Sequence, residues 1–141
     1  FLNAVCEEAV YMRLPKGLQH TAPPGHVCRL KKTLYGIKQA PRAWNLELNA
    51  AILKLGWARC VSDTCVYTKR SKTGMMMYLP LFVDDMFPAC ATADLAELKT
   101  DMQKLMDKYD IPSLLDADTV LGMHINRDRA SRTVTLDQHS Y

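Results

Sequence analysis

Met75-Met76-Met77-Tyr78-Leu79-Pro80-Leu81-Phe82-Val83-Asp84-Asp85-Met86-Phe87-Pro88-Ala89-Cys90 is the stretch that decides the fold. Its first half is apolar and strand-like, and its centre holds two adjacent carboxylates. Such a pair is costly to place, because like charges repel and burial disfavours the ionised form. A divalent cation offsets that cost, since hard oxygen ligands suit Mg²⁺. Taken alone, the dipeptide reads first as two solvated acids at a hairpin tip, where Asp is common. Either way the pattern is strand, acid turn, return strand, the last running from Met86 to Cys90.

Working outward, Val66-Tyr67-Thr68-Lys69 and Met75-Met76-Met77-Tyr78-Leu79 read as strands joined by Arg70-Ser71-Lys72-Thr73-Gly74, a hairpin-length loop. Before them, Trp44, Leu48, Ile52 and Leu55 recur at helical steps, with Pro41 suited to the helix start and Gly56 to its stop. Pro15-Lys16-Gly17 and Thr21-Ala22-Pro23-Pro24-Gly25 make residues 13–26 a loop. Val27-Cys28-Arg29-Leu30 alternates as a short strand that Tyr35-Gly36 breaks. Beyond the acid turn, Asp94 opens a second helix, and with Glu97 it forms the pattern of a capping box. Leu95, Leu98, Met102, Leu105, Met106 and Tyr109 line one face of that helix, a stripe that reads as core packing rather than a cofactor box. Residues 110–118 read as a loop. Residues 120–126 and 133–136 read as a closing hairpin across 127–132. Antiparallel strands with helices on one face predict an α+β fold, with residues 1–141 as one domain.

Hydrophobic residues make up 48% of the 141 and charged ones 23%, which gives a core of ordinary size and argues against a disordered chain. No apolar run approaches the roughly 20 residues of a membrane span, so no membrane partner is expected. Phe1-Leu2-Asn3-Ala4-Val5-Cys6-Glu7-Glu8 has no basic n-region, is not a signal peptide, and looks like the middle of a longer protein. Five scattered cysteines without a C-x-x-C argue against a disulfide framework and fit a reducing compartment. His26-x-Cys28 and Cys60-x4-Cys65 have poor zinc spacing and read as ordinary residues. Charge is uneven: residues 29–72 hold ten basic and two acidic residues, while residues 73–141 hold six basic and eleven acidic. The basic half fits a polyanion such as a nucleic acid backbone or a triphosphate, and equally a solvated basic surface.

Leu30-Lys31-Lys32-Thr33-Leu34-Tyr35-Gly36-Ile37-Lys38-Gln39-Ala40-Pro41-Arg42-Ala43-Trp44 is long and specific. It closely resembles the LKKxLYGLKQAPRAW block of Ty1/copia-type retrotransposon reverse transcriptases. The neighbours agree in order. Val10-Tyr11-Met12-Arg13-Leu14-Pro15-Lys16-Gly17 resembles VYMxxPxG, Ser62-Asp63-Thr64-Cys65-Val66-Tyr67 resembles SDPxLY, and Phe82-Val83-Asp84-Asp85 resembles the YVDD box. Leu121-Gly122-Met123-His124-Ile125 resembles FLGMEI, and Thr135-Leu136-Asp137-Gln138 resembles the LSQ that follows it. The resemblance covers essentially the whole chain.

The resemblance implies a polymerase palm-like antiparallel sheet packed on helices, with partial fingers, as an incomplete domain. It implies two-metal nucleotidyl transfer, in which a primer 3′-hydroxyl attacks the α-phosphate of a deoxynucleotide. Asp84 would be the principal metal and catalytic ligand and Asp85 the weaker one, with two Mg²⁺ in an intact site. Phe1, Tyr35, Gly36, Lys38 and Gln39 would line the nucleotide and template pocket. Lys31, Lys32, Lys38 and Arg42 would meet phosphates. Implied partners are an RNA/DNA template-primer, a deoxynucleoside triphosphate, and the integrase and RNase H regions of a polyprotein. The implied location is intracellular, in cytoplasmic virus-like particles.

Three departures from the family pattern carry expectations of their own. The family's third carboxylate belongs about five residues before Phe1, so the isolated chain is expected to be inactive; Glu7 and Glu8 do not replace it. Phe1 matches the aromatic that discriminates against a ribose 2′-hydroxyl, yet a chain end is expected to hold it poorly. Pro80 and Pro88 stand on the two arms of the acid hairpin, where proline cannot donate to a ladder, and are expected to strain or shorten it. The alternative to a polymerase fragment is a non-catalytic nucleic-acid-binding remnant of a decayed retroelement.

Overall fold

The computed structural model describes residues 1–114 and 117–139. The chain forms two compact units, Phe1–Tyr109 and Asp110–Tyr141.

In the first unit, strands β1 (Tyr11–Arg13) and β2 (Val27–Arg29) form an antiparallel ribbon, with Tyr11 opposite Arg29 and Arg13 opposite Val27. The expected loop at 13–26 joins them and contains one short 3₁₀ turn, Gln19–Thr21. Helix α1 runs Ala40–Lys54. Trp44, Leu48 and Ile52 are buried along it, as their spacing predicts, together with Ala40 and Ala51. It ends at Leu55-Gly56, where Gly56 takes a φ of 83° that a side chain would disfavour.

A four-stranded antiparallel meander follows: β3 (Ala58–Arg59), β4 (Val66–Arg70), β5 (Met76–Phe82) and β6 (Asp85–Met86), in that spatial order. One face is covered. Tyr67, Met77 and Leu79 are fully buried on it, while Tyr78, which points the other way, is 47% exposed. The helices supply the cover. Tyr67 Oη donates to Asn49 of α1 at 2.7 Å, and Lys69 Nζ donates to the Leu55 carbonyl at 2.9 Å. Helix α2 (Leu95–Tyr109) buries Leu98, Asp101, Met102, Leu105 and Tyr109. Its Asp101 accepts from Lys69 and, at 3.1 Å, from the Trp57 indole. A buried carboxylate is tolerable here because both donors reach it. The two helices meet where the Trp44 ring abuts Tyr109 edge-on at 5.1 Å and Lys108 pairs with Glu47 at 2.7 Å. The arrangement is α+β, as expected.

The start of α2 differs from the expected capping box. A 3₁₀ turn, Thr92–Asp94, precedes the helix. Asp94 is buried and accepts from Thr73 Oγ1 at 2.8 Å, and Glu97 accepts from the Lys72 backbone N–H at 3.0 Å. Both carboxylates thus bond to the β4–β5 loop rather than to the helix's own N–H groups.

The acid hairpin accommodates its prolines in register. The return strand, expected over Met86–Cys90, is regular only as far as Met86, the shortening expected of proline. The pairing nevertheless resumes at Tyr78 and Ala89, which exchange two hydrogen bonds of 2.8 Å. Pro80 costs one bond: its carbonyl accepts from Phe87 N–H at 3.0 Å, but it has no N–H to return. Pro88 costs none, because beside the Tyr78–Ala89 pair its nitrogen faces away from β5.

The second unit is a three-stranded sheet of β7 (Thr119–Val120), β8 (Met123–Asp128) and β9 (Thr133–Asp137). The hairpin expected across 127–132 is present as β8–β9. The single strand expected over 120–126 is instead two. Leu121 and Gly122 have φ of 50° and 76°, a tight turn that folds β7 back onto β8. The expected loop at 110–118 holds no helix or strand among its described residues; Leu115 and Asp116 lie outside them.

Candidate active site

The acid turn is a two-residue hairpin connection. Phe82 pairs with Asp85, leaving Val83 and Asp84 at the tip. Val83 has φ of 60°. That backbone conformation is disfavoured for any side chain and most for a β-branched one, so this tip is strained. Both carboxylates are exposed.

Two residues of the lysine-rich block reach this turn. Tyr35 Oη donates to Asp84 Oδ2 at 3.0 Å. The carboxylate holding that hydroxyl raises the tyrosine above its ordinary pKa of 10.0. Trp44, at the other end of the block, donates its indole N–H to the Val83 carbonyl at 2.9 Å. Phe1 completes the group, its ring 4.7 Å from that of Tyr35.

The expectation that a chain end holds Phe1 poorly is corrected. Its carbonyl accepts from Ala4 N–H at 3.2 Å and from the hydroxyl of Thr33, which is wholly buried. Residues 4–6 then run antiparallel to 31–33: Thr33 N–H donates to the Ala4 carbonyl at 2.9 Å and Cys6 N–H to the Lys31 carbonyl at 3.0 Å. This ladder, with the turn that the Ala4–Phe1 bond closes, fixes Phe1 against Tyr35.

None of the other expected site residues bonds to either carboxylate among the described residues. Gly36 has φ of 89° and nothing within 4 Å of where a Cβ would lie. Glycine is therefore required there by conformation rather than by crowding. Gln39 spends its amide on Glu8. Lys31, Lys32, Lys38 and Arg42 are exposed and make no ion pair among the described residues. The Asp85 carboxylate accepts no hydrogen bond among them either, and Asp84 has one oxygen uncommitted. Two hard-oxygen side chains are thus open to a cation, and no group of three His, Cys, Asp or Glu suited to a metal occurs among the described residues. The five cysteines are free thiols. Sequence reasoning placed Trp44 only in the core and missed its bond to Val83, Thr33 as the anchor of Phe1, and Glu8 as the partner of Gln39.

All 141 residues match the family described as reverse transcriptase (RNA-dependent DNA polymerase). The chain belongs to that family. It is 38% identical, over its whole length, to a retrovirus-related Pol polyprotein from transposon TNT 1-94 of Nicotiana tabacum. It is 32% identical to one from transposon RE2 of Arabidopsis thaliana and 29% identical to a putative transposon Ty5-1 protein of Saccharomyces cerevisiae, again over its whole length. The chain spans 10%, 9% and 44% of those relatives respectively, so it corresponds to a segment of each. No solved structure matches it. The Ty1/copia-type resemblance of the separate motifs thus extends to the full alignment. No helix among the described residues is long and apolar enough to cross a membrane.

Proposed function

We propose that this reverse transcriptase segment carries the acid turn and the nucleotide-facing block of an RNA-directed DNA polymerase, with the meander as part of its palm and residues 1–40 as part of its fingers. The observation that carries this reading is the Tyr35–Asp84 hydrogen bond. It joins two motifs 49 residues apart into one exposed site.

In this account Asp84 and Asp85 are two of the carboxylates that hold Mg²⁺, and a further one comes from polyprotein sequence outside this segment. The cations, when bound, neutralise charge on the phosphates and on the attacking primer 3′-hydroxyl. The chain's own residues do the rest. The Phe1 and Tyr35 rings form an apolar wall beside the carboxylates for the sugar and base of the incoming nucleotide. Gly36, Lys38 and Gln39 continue that wall towards the template. Lys31, Lys32, Lys38 and Arg42, without carboxylate partners among the described residues, are available to phosphates. The remaining polyprotein, with its integrase and RNase H regions, is the partner in cis, and cytoplasmic particles are the proposed site of action.

The test is primer extension on an RNA template, using this segment joined to the polyprotein sequence that precedes it. Extension should require Mg²⁺ and fall at least a hundredfold with Asp84→Asn. Extension that survives Asp84→Asn contradicts the proposal. Salt-sensitive binding of primer-template without any extension supports the non-catalytic remnant instead.

A further inference from the structure

We propose that Trp44 is a positioning residue: its indole N–H holds the Val83 carbonyl so that the acid turn keeps its left-handed backbone and Asp84 keeps its aim at Tyr35. Three observations carry this. Val83 has φ of 60° and is 48% exposed, so neither its intrinsic preference nor side-chain packing accounts for the conformation. The Trp44 side chain is 7% exposed, with its ring fixed edge-on against Tyr109 at an interplanar angle of 72°. Its donor therefore points from a rigid wall rather than from a mobile side chain. The bond is 2.9 Å long and spans 39 positions in sequence. A strained turn persists only where its surroundings over-determine it. The Phe82–Asp85 pairing closes the turn from below, Tyr35 holds Asp84 from one side, and Trp44 holds the peptide between them.

The functional importance of this aim rests on the polymerase reading, but the positioning itself is measurable without catalysis. A glycine at position 83 accepts positive φ freely, so it removes the need for a restraint. The pin and the strain must therefore be coupled energetically. The experiment is hydrogen exchange on wild type, Trp44→Phe, Val83→Gly and the double variant. Trp44→Phe keeps a ring against Tyr109 and deletes the donor. It should speed exchange of the hairpin's bonded amides, Asp85 and Phe87, about tenfold while leaving those at 45–52 unchanged. In the Val83→Gly background the same change should alter turn exchange less than about twofold. An unchanged turn in Trp44→Phe, or an equal acceleration in both backgrounds, overturns the proposal. A second measurement needs no variant. In the native protein the Trp44 indole proton should share the protection factor of the turn amides, and a protection factor matching helix α1 instead overturns it. Neither measurement involves a cation or a nucleotide. Failure of the pin is thus distinct from loss of extension in Asp84→Asn, which tests the polymerase reading.

Discussion

Tyr35 Oη lies 3.0 Å from Asp84 Oδ2, and this contact joins the basic half of the chain to the acidic half at one atom pair. The phenol takes one carboxylate oxygen and the cation expected at that carboxylate competes with it. Its chemistry is directly observable. The hydrogen bond to the charged acid favours the protonated phenol, which raises its pKa above 10.0. The stability it contributes is complete below that ordinary value and is lost as pH rises through the raised one. Burial raises Tyr67 and Tyr109 as well, so an ultraviolet titration should show three tyrosines ionising late, and Asp84→Asn should return one of them to the ordinary range. Three late tyrosines that all persist in Asp84→Asn argue against the contact.

The buried Asp101 anchors Lys69 and Trp57 beneath the sheet. Asp101→Ala leaves an ammonium that is only 19% exposed and an indole N–H without their acceptor. It should destabilise the chain by about 3 kcal/mol in urea denaturation. Asp101→Leu combined with Lys69→Met removes both charges and should cost clearly less than Asp101→Ala. A double variant as unstable as the single one contradicts this account of the network.

Glu47 and Lys108 tie the two helices together beside Tyr109. The Lys108 ammonium holds Glu47 below its ordinary 4.5, and Glu47 in turn raises Lys108. A depressed acid contributes stability above its unfolded pKa and loses it as pH falls through the folded one. The pair is partly exposed, so its contribution is below about 1 kcal/mol and weakens with salt. Urea midpoints of wild type and Glu47→Gln should differ at pH 7 and converge towards pH 3. Midpoints that stay apart by the same amount at both pH values rule it out.

The two prolines of the acid hairpin should respond oppositely. Pro80→Val restores a donor facing the Phe87 carbonyl and should stabilise by up to about 1 kcal/mol, with slower exchange at Phe87. Pro88→Val gains no bond and frees the unfolded chain, so it should be neutral or slightly destabilising. Equal effects at both positions contradict the register of β5 against its return strand.

The parts of this molecule legible in its sequence are those whose reasons are local. Trp44, Leu48 and Ile52 repeat at a helical period, and helix α1 follows. Arg70-Ser71-Lys72-Thr73-Gly74 has the length and glycine of a hairpin loop, and β4 pairs with β5 across it. What stayed hidden depends on distant partners. Strand β3 is two residues long and exists only because β4 pairs with it. Asp94 and Glu97 carry a helix-capping spacing, yet Thr73 and Lys72 capture both. The acid turn was visible as two carboxylates after an apolar run. The indole holding its strained peptide was not, because helical periodicity already explained Trp44.

On the proposed function, the acid turn and the Tyr35-Gly36 segment share one cation site. The most direct measurement is paramagnetic broadening by Mn²⁺ in the amide spectrum of the chain. Val83, Asp84, Asp85, Tyr35 and Gly36 should broaden together at the lowest Mn²⁺ concentration, and Asp84→Asn with Asp85→Asn should abolish it. Broadening centred elsewhere, or undiminished in that double variant, would contradict it.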